Sequence, residues 1–415
     1  MSLSCFDLGE RMLAVDEAQR HLEGLVAAPL ASESCPLVEL PGRVLADAIR
    51  SPIDVPQNTN AAMDGIALAW PAAAETLALV GTVLAGSHAE RGLAVGEAMA
   101  ITTGAPLPPG ADTVIMQEQL AFPDDDRVRV TRPDTVRRGQ HVRQAGEDVS
   151  RDSLALVAGT RLGPAQLGLL ASLGVAEARV HRRPRVAIFS SGDEVTAPGT
   201  PLPMAGIYDA NRYSLRGLLD ALGCEIIDLG ILPDDRETMA AALSGAASRA
   251  DMVITSGGVS VGRADWIKAA LGEVGELGFW RIAMRPGRPL ACGWLGPERT
   301  PFFGLPGNPV AVMVTFLQFV QPVLRRLMGQ PGWQPRRLTA LATTPLASRV
   351  GRVDYLRGSY HSDSQGRLWV TPTGRQGSGI LTSMVLADCL IEVGAEREGV
   401  AEGEPVTLQL LNDFS

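Results

Sequence analysis

Asp251–Asp265 reads DMVITSGGVSVGRAD. Met252, Val253 and Ile254 form an apolar run without polar alternation, as a strand buried on both faces would. Thr255, Ser256, Gly257, Gly258, Ser260 and Gly262 follow. Glycine and serine after a strand let backbone N–H groups face an anion with no Cβ in the way, which suits a phosphate. Asp265 closes the stretch as a carboxylate placed to hold a metal or orient a substrate. The same residues also suit an ordinary strand-to-helix turn with an aspartate N-cap, and spacing alone leaves both readings open. Three further stretches carry similar groups: Ser190–Glu194 (SSGDE), Pro233–Asp235 and Gly304–Asn308 (GLPGN). Arg281, Arg285 and Arg288 lie in FWRIAMRPGRP. A solvated strand face accounts for the first two, but the Arg-Pro-Gly-Arg-Pro turn sets two cations where an oxyanion could sit.

Other chemistries find little support. No G-x-G-x-x-G follows the first strand and no G-x-x-x-x-G-K-[ST] occurs. His21 is expected on a helix, and His88, His141, His181 and His361 are expected in loops, so a histidine-based triad is not indicated. Cys5, Cys35, Cys224, Cys292 and Cys389 are scattered and lack C-x-x-C spacing, which reads as free thiols in a reducing compartment without zinc. A net charge of −9 argues against a nucleic-acid surface. The N-terminus lacks an apolar signal region and no run of about 18 apolar residues occurs, so the expectation is a cytoplasmic protein without a membrane span.

From residue 183 onward, strand and helix patterns alternate. Val186–Phe189, Glu225–Leu229, the Val253 run and Phe279–Met284 read as strands. Helices are expected from Asn211 (as N-cap) to Leu222, from Asp234 and Asp235 to about Ala250, from about Trp266, and from Asn308 and Pro309 to about Met328. This order predicts a doubly wound parallel α/β sheet. Ligands of such sheets sit outside the carboxyl ends of the strands, so all four turns fall on one edge. Four such turns together favour a phosphate-and-metal site over an accident of composition.

Ahead of this region, Leu13–Leu25 has helical spacing, Val38–Leu40 reads as a strand or turn, and Val44–Ala46 as a short helix. Ser51–Gly65 is a proline-bearing loop in which Asp64 is either a turn residue or a ligand-facing carboxylate. Short β-like runs follow to about Val130. Arg143 and Asp148, from charge alone, read as a solvated pair, and could also bind an anion and a cation. Gly163–Gly174 is a helix with proline near its start. After Gly332, Leu338–Leu346, Val353–Leu356, Leu368–Val370 and Val406–Leu410 suggest a small β-barrel, with Gly374–Gly379 as a loop that could reach a ligand. The expected organisation is multidomain α/β plus β. Residues 1–50 and 138–182 form a discontinuous N-terminal linker domain, 51–137 a β-rich inserted domain, 183–330 the α/β domain, and 331–415 the barrel.

Eight motifs now stand in one order: DGIA (64–67), TTGAPLPPGADTVIMQE (102–118), GED (146–148), SSGDEV (190–195), YDANR (208–212), SGGVSVGRAD (256–265), MRPGRP (284–289) and GLPGNPV (304–310). Together they resemble the molybdopterin molybdenumtransferase family, which is similar to the E domain of gephyrin. The resemblance implies an elongated homodimer of four-part subunits in which 183–330 binds molybdopterin. It implies ligation of molybdate to adenylylated molybdopterin, with magnesium-dependent hydrolysis of the adenylate to AMP and molybdenum cofactor. A molybdopterin adenylyltransferase is then the upstream partner. Glu194, Asp234 and Asp265 match the family's acidic, metal-holding positions. Asp64, Thr103, Arg143 and Asp148 match residues that the family brings across the dimer. The resemblance assigns pterin and oxyanion binding to Ser190, Ser191, Gly192, Ser256, Gly257, Gly258, Ser260, Pro306 and Asn308. It assigns the same role to Arg281, Arg285 and Arg288, and Ser378 matches a C-terminal site serine. Two departures stand out: the three arginines replace frequent lysines, and Ile66 replaces a tyrosine. A single-domain adenylyltransferase and a non-catalytic scaffold are the competing readings.

Overall fold

The computed structural model describes residues 11–72, 76–257, 272 and 274–411. Gly258, Ser260, Asp265 and the helix expected from Trp266 lie outside them. Among the described residues, the site rests on a seven-stranded sheet. Its order is Met12–Leu13, Gly275–Ile282, Pro289–Leu295, Thr300–Leu305, Met252–Ser256, Arg185–Ser191 and Glu225–Leu232. The last four strands are parallel. Met252–Ser256 and Thr300–Leu305 are buried at every residue, as strands covered on both faces must be.

Pro289–Leu295 runs antiparallel to both neighbours, so the sheet is mixed rather than wholly parallel. The cause is chain length: the links at 283–288 and 296–299 are too short for a crossover helix, and hairpins result. Because Gly275–Ile282 is antiparallel to an antiparallel strand, its carboxyl end returns to the same edge as those of the parallel four. Helix Asn211–Leu222 covers one face with Leu215, Leu219 and Leu222. Helix Arg236–Ala247 covers the other with Met239, Leu243 and Ala246, which completes the doubly wound arrangement. The helical stretch Pro309–Leu327 contains a π-helical turn at Phe316–Val320. It is long and apolar enough to cross a membrane by length and composition, but it is a core helix, 78% buried.

The first helix is Val15–Glu23, later than its apolar spacing suggests. Met12 and Leu13 instead extend the sheet beside Arg281 and Ile282. No helix forms at Val44–Ala46. Val44 and Leu45 bridge to Arg161 and Val180, whose backbone groups satisfy theirs. Strand Ser32–Pro36 pairs with Glu177–His181, and a core of Leu40, Leu45, Leu162, Leu170 and Val180 unites these distant segments. Between them in sequence lies a six-stranded sheet built from Gly65–Leu68 to Arg127–Val130. At the C-terminal end, Val353–Ser362, Leu368–Pro372, Arg337–Ala342, Pro405–Leu410 and Cys389–Val393 close into a barrel, because the first strand also pairs with the last. Met284–Arg285 joins it as a short parallel strand beside Val353–Asp354.

Candidate functional site

The strand order sets the turns after Glu225–Leu232, Arg185–Ser191, Met252–Ser256 and Thr300–Leu305 side by side on the carboxyl edge. Ser190 and Ser256 are buried there. Ser190 Oγ donates to Asp209 Oδ1 at 2.9 Å and lies 3.3 Å from Ser256 Oγ. Ser191 Oγ is buried without a hydrogen-bond partner. Gly257 has φ +89°, and a Cβ there would sit 2.9 Å from the Ser191 carbonyl, so only glycine fits. Its N–H donates to Leu305 O at 3.2 Å, which ties the third turn to the fourth. Gly192 has φ +130°, and the Glu194 carboxylate folds back to 2.9 Å from where its Cβ would be. Glu194 and Asp234 both engage other groups. Among the described residues no three of His, Cys, Asp and Glu converge closely enough to hold a metal ion. Asp235 rather than Asp234 caps the next helix, accepting from Thr238 N–H at 2.8 Å. Asn308 occupies the N-cap position before Pro309 without a side-chain cap bond. Asn211 is not a cap: it is the first helical residue, and its Nδ2 donates to Gly307 O at 2.8 Å.

Arg281, Arg285 and Arg288 are exposed on this same edge. Arg281 pairs across the hairpin with Pro289, and Ile282 N–H donates to Arg288 O at 2.8 Å. Two strand spacings, about 10 Å, separate Arg281 from the Leu305 turn. None of the three guanidiniums has a carboxylate partner among the described residues, so within them the turn is a patch of positive charge. The arginines carry little information about lysine avoidance at this spot: Lys268 is the sole lysine among 37 basic residues of the whole chain.

Behind the turn stands a residue that sequence reasoning missed. Arg357 is 1% exposed and has no carboxylate partner among the described residues. Burial, and then the Arg285 guanidinium, push its pKa down to about 10. Its Nε donates to Ser383 Oγ at 3.0 Å and its Nη2 to Gly377 O at 3.2 Å. Gln376 brackets its backbone, accepting from Arg357 N–H at 2.8 Å and donating to Arg357 O at 3.1 Å. Arg357 therefore fastens the Gly374–Gly379 loop to the barrel. That loop reaches the edge, since Val310 N–H donates to Ser378 O at 3.0 Å. The stretch Val353–Ser362 reads VDYLRGSYHS, so an arginine among its polar residues gave no signal of burial.

Asp64 and Thr103 meet in the β-rich region. Asp64 Oδ1 accepts from Thr103 N–H at 2.7 Å and from Thr103 Oγ1 at 2.8 Å. The backbone bond first, then the hydroxyl, holds the Asp64 carboxyl below its ordinary range. Arg143 lies on the two-residue strand paired with Asn60–Ala61, and Asp148 follows with its N–H on Val55 O at 3.0 Å. Both are exposed, and they form no ion pair with each other. No hydrogen bond or ion pair among the described residues joins these four to the sheet edge.

Residues 13–174 match the MoeA N-terminal region (domain I and II), 187–326 a probable molybdopterin binding domain, and 339–411 the MoeA C-terminal region (domain IV). The chain is 42% identical, over 97% of its length and 99% of the relative, to a molybdopterin molybdenumtransferase of Haemophilus influenzae. It is 36% identical, over 89% of its length and 86% of the relative, to one of a Nostoc species. A solved structure of a molybdopterin biosynthesis MoeA protein from Pyrococcus horikoshii matches with a TM-score of 0.82 at 29% identity, covering 96% of this chain and 100% of that one. Likeness of this extent, in sequence and in shape, means that the chain belongs to the molybdopterin molybdenumtransferase family.

Proposed function

We propose that the chain inserts molybdate into adenylylated molybdopterin and hydrolyses the adenylate, releasing AMP and molybdenum cofactor. The observation that carries this reading is the arginine turn, which has no carboxylate partner among the described residues and is backed by buried Arg357, on the edge that also holds the glycine- and serine-bearing turns. A planar guanidinium fork pairs with a tetrahedral oxyanion through two parallel bonds. Arg281, Arg285 and Arg288 would hold molybdate, and Ser191, Gly192, Gly257, Pro306 and Asn308 would surround the pterin phosphate. Gly258 and Ser260 would add to that cradle.

Glu194 and Asp234, with Asp265, would hold magnesium, since hard carboxylate oxygens suit that ion and it retains several waters. The ion, when bound, neutralises phosphate charge and polarises the bond that breaks. Asp64, Thr103, Arg143 and Asp148 would enter the site from a second copy, which makes the working unit a homodimer. Thr103 keeps the Asp64 carboxyl ionised near neutral pH, so Asp64 would orient water or cation rather than donate a proton. A molybdopterin adenylyltransferase would supply the substrate. The non-catalytic scaffold is disfavoured because every acidic position is present in the sequence. The single-domain adenylyltransferase is disfavoured by the β-rich part and the barrel.

The test is AMP release from adenylylated molybdopterin by purified protein with magnesium, with and without molybdate. Molybdate-dependent release is expected, and Asp265→Asn should abolish it while the fold persists. Stimulation by tungstate alone would reassign the oxyanion. No release with any oxyanion would refute the reading and favour the scaffold.

A further inference from the structure

The segment Tyr208–Arg212 has no part in the reaction just described, but it bonds directly to the first and fourth turns and reaches the second and third strands through Asp228 and Ser190. The Asp209 carboxylate is buried, 3% exposed. Its Oδ1 accepts from Ser190 Oγ at 2.9 Å and from Arg212 N–H at 3.1 Å, and its Oδ2 accepts from Arg212 Nε at 2.9 Å. Arg212 Nη1 donates onward to both oxygens of Asp228, at 2.8 and 2.6 Å. Asp228 lies on the strand that leads to Pro233–Asp235. Asn211 Nδ2 holds the Gly307 carbonyl in the fourth turn. Ser256, at the end of the third strand, is reached through Ser190.

Proton accounting then sets the direction of each bond. A serine hydroxyl carries one proton. That of Ser190 goes to Asp209, so any hydrogen bond between the two serines has Ser256 as its donor. The Ser190 proton is thereby committed inside the protein and is not left for a phosphate oxygen. Ser190 and Ser256 act as struts, in contrast to Ser191, whose hydroxyl has no partner.

We propose that Asp209 and Asn211 are positioning residues that fix the four ligand-facing turns in one relative geometry, Asp209 through Ser190 and Arg212, and Asn211 through Gly307. The activity arm of the test rests on the proposed function; the exchange arm does not. Asp209→Asn keeps the volume but turns an amide donor toward either Arg212 Nε or Ser190 Oγ. Hydrogen exchange on the ligand-free full chain should then quicken at 190–194 and 234–235 by about tenfold, the worth of one charge-assisted hydrogen bond, with the barrel unchanged. Asn211→Ser should quicken 304–308 alone. For AMP release, Asp209→Asn should raise KM for adenylylated molybdopterin by about tenfold and change kcat less. Adding Ser190→Ala should cost little more, because the two act through one bond. Unchanged exchange at both turns, or an equal rise throughout the chain, would overturn the proposal, as would fully additive losses. If wild-type protein releases no AMP, the functional reading fails, and exchange alone decides the positioning role.

Discussion

Gly287 sits between Arg285 and Arg288 at φ +98°, with its Cα seated against helix Pro309–Thr315. A Cβ at this position would overlap Thr315 Oγ1, with Met284 Cε next at 3.4 Å and Ala311 O at 3.5 Å. Gly287→Ala thus meets two penalties. The left-handed backbone costs a non-glycine residue about 1–2 kcal/mol. Overpacking against a buried helix costs about 1–3 kcal/mol more. The sum, about 3 kcal/mol, should lower the opening cost of the turn and speed exchange of the Ile282 amide by about two orders of magnitude. The arginines would also shift by about an ångström, enough to slow molybdate-dependent AMP release by up to about 100-fold. Thr315→Ala offers a selective rescue. Thr315 Oγ1 is buried without a hydrogen-bond partner, so its removal should be close to neutral alone. In the double variant the overlap is gone and only the backbone strain remains, so about half of the lost stability should return. Exchange in Gly287→Ala/Thr315→Ala as fast as in Gly287→Ala would refute the steric account. Wild-type exchange in Gly287→Ala would refute the premise that the turn is seated there.

Three other outcomes are expected. Asp251 ties Arg182 and Arg185 to the start of Met252–Ser256; burial pushes its carboxyl up, and hydrogen bonds from Arg182 and Arg185 outweigh this and leave it lowered. Asp251→Asn should destabilise by about 3 kcal/mol. Because the folded value is the lower one, this contribution is complete above about pH 4 and fades as pH falls further, so denaturant midpoints of variant and wild type should converge in acid. Arg357→Met removes a buried charge that has no carboxylate partner among the described residues, so stability should hold or rise while KM for molybdate increases. Equal losses of stability and activity would make Arg357 a merely structural residue. Exchange of Arg281, Arg285 and Arg288 for lysine should preserve molybdate-dependent release within about tenfold if charge alone matters, and reduce it further if the planar fork is required.

The carboxyl edge was legible because it follows from strand order, and buried strands such as Met252–Ser256 announce themselves as unbroken apolar runs. Pro289–Leu295 was not. It opens on proline and contains Gly293, both of which read as breaks, and its antiparallel pairing is set by the neighbouring hairpins. Asn211 looked like a cap because asparagine favours caps; a tertiary partner, Gly307, captured its side chain one residue into the helix. Asp64 and Thr103 were each recognisable from a motif, but their mutual hydrogen bonds depend on strands 39 residues apart. Ser190 looked like an anion donor by residue type, and only the position of Asp209 reveals that its proton is engaged there. Arg357 escaped notice because its burial is a property of barrel closure, which local periodicity does not encode.

The strand Met284–Arg285 belongs to the barrel, while Arg281 and Ile282, just before it, belong to the α/β sheet. The cationic turn is therefore a splice between two sheets. Any rocking of the barrel must twist the backbone between Arg281 and Arg285 and alter the separation of their charges. A chimera that grafted a relative's barrel onto this α/β unit would inherit that relative's spacing at Arg285, even with every residue of the turn left native. The two parts share one hydrophobic core, in which Tyr355, Met384 and Leu390 pack with the α/β strands, and they are a single inheritance at the cationic turn as well.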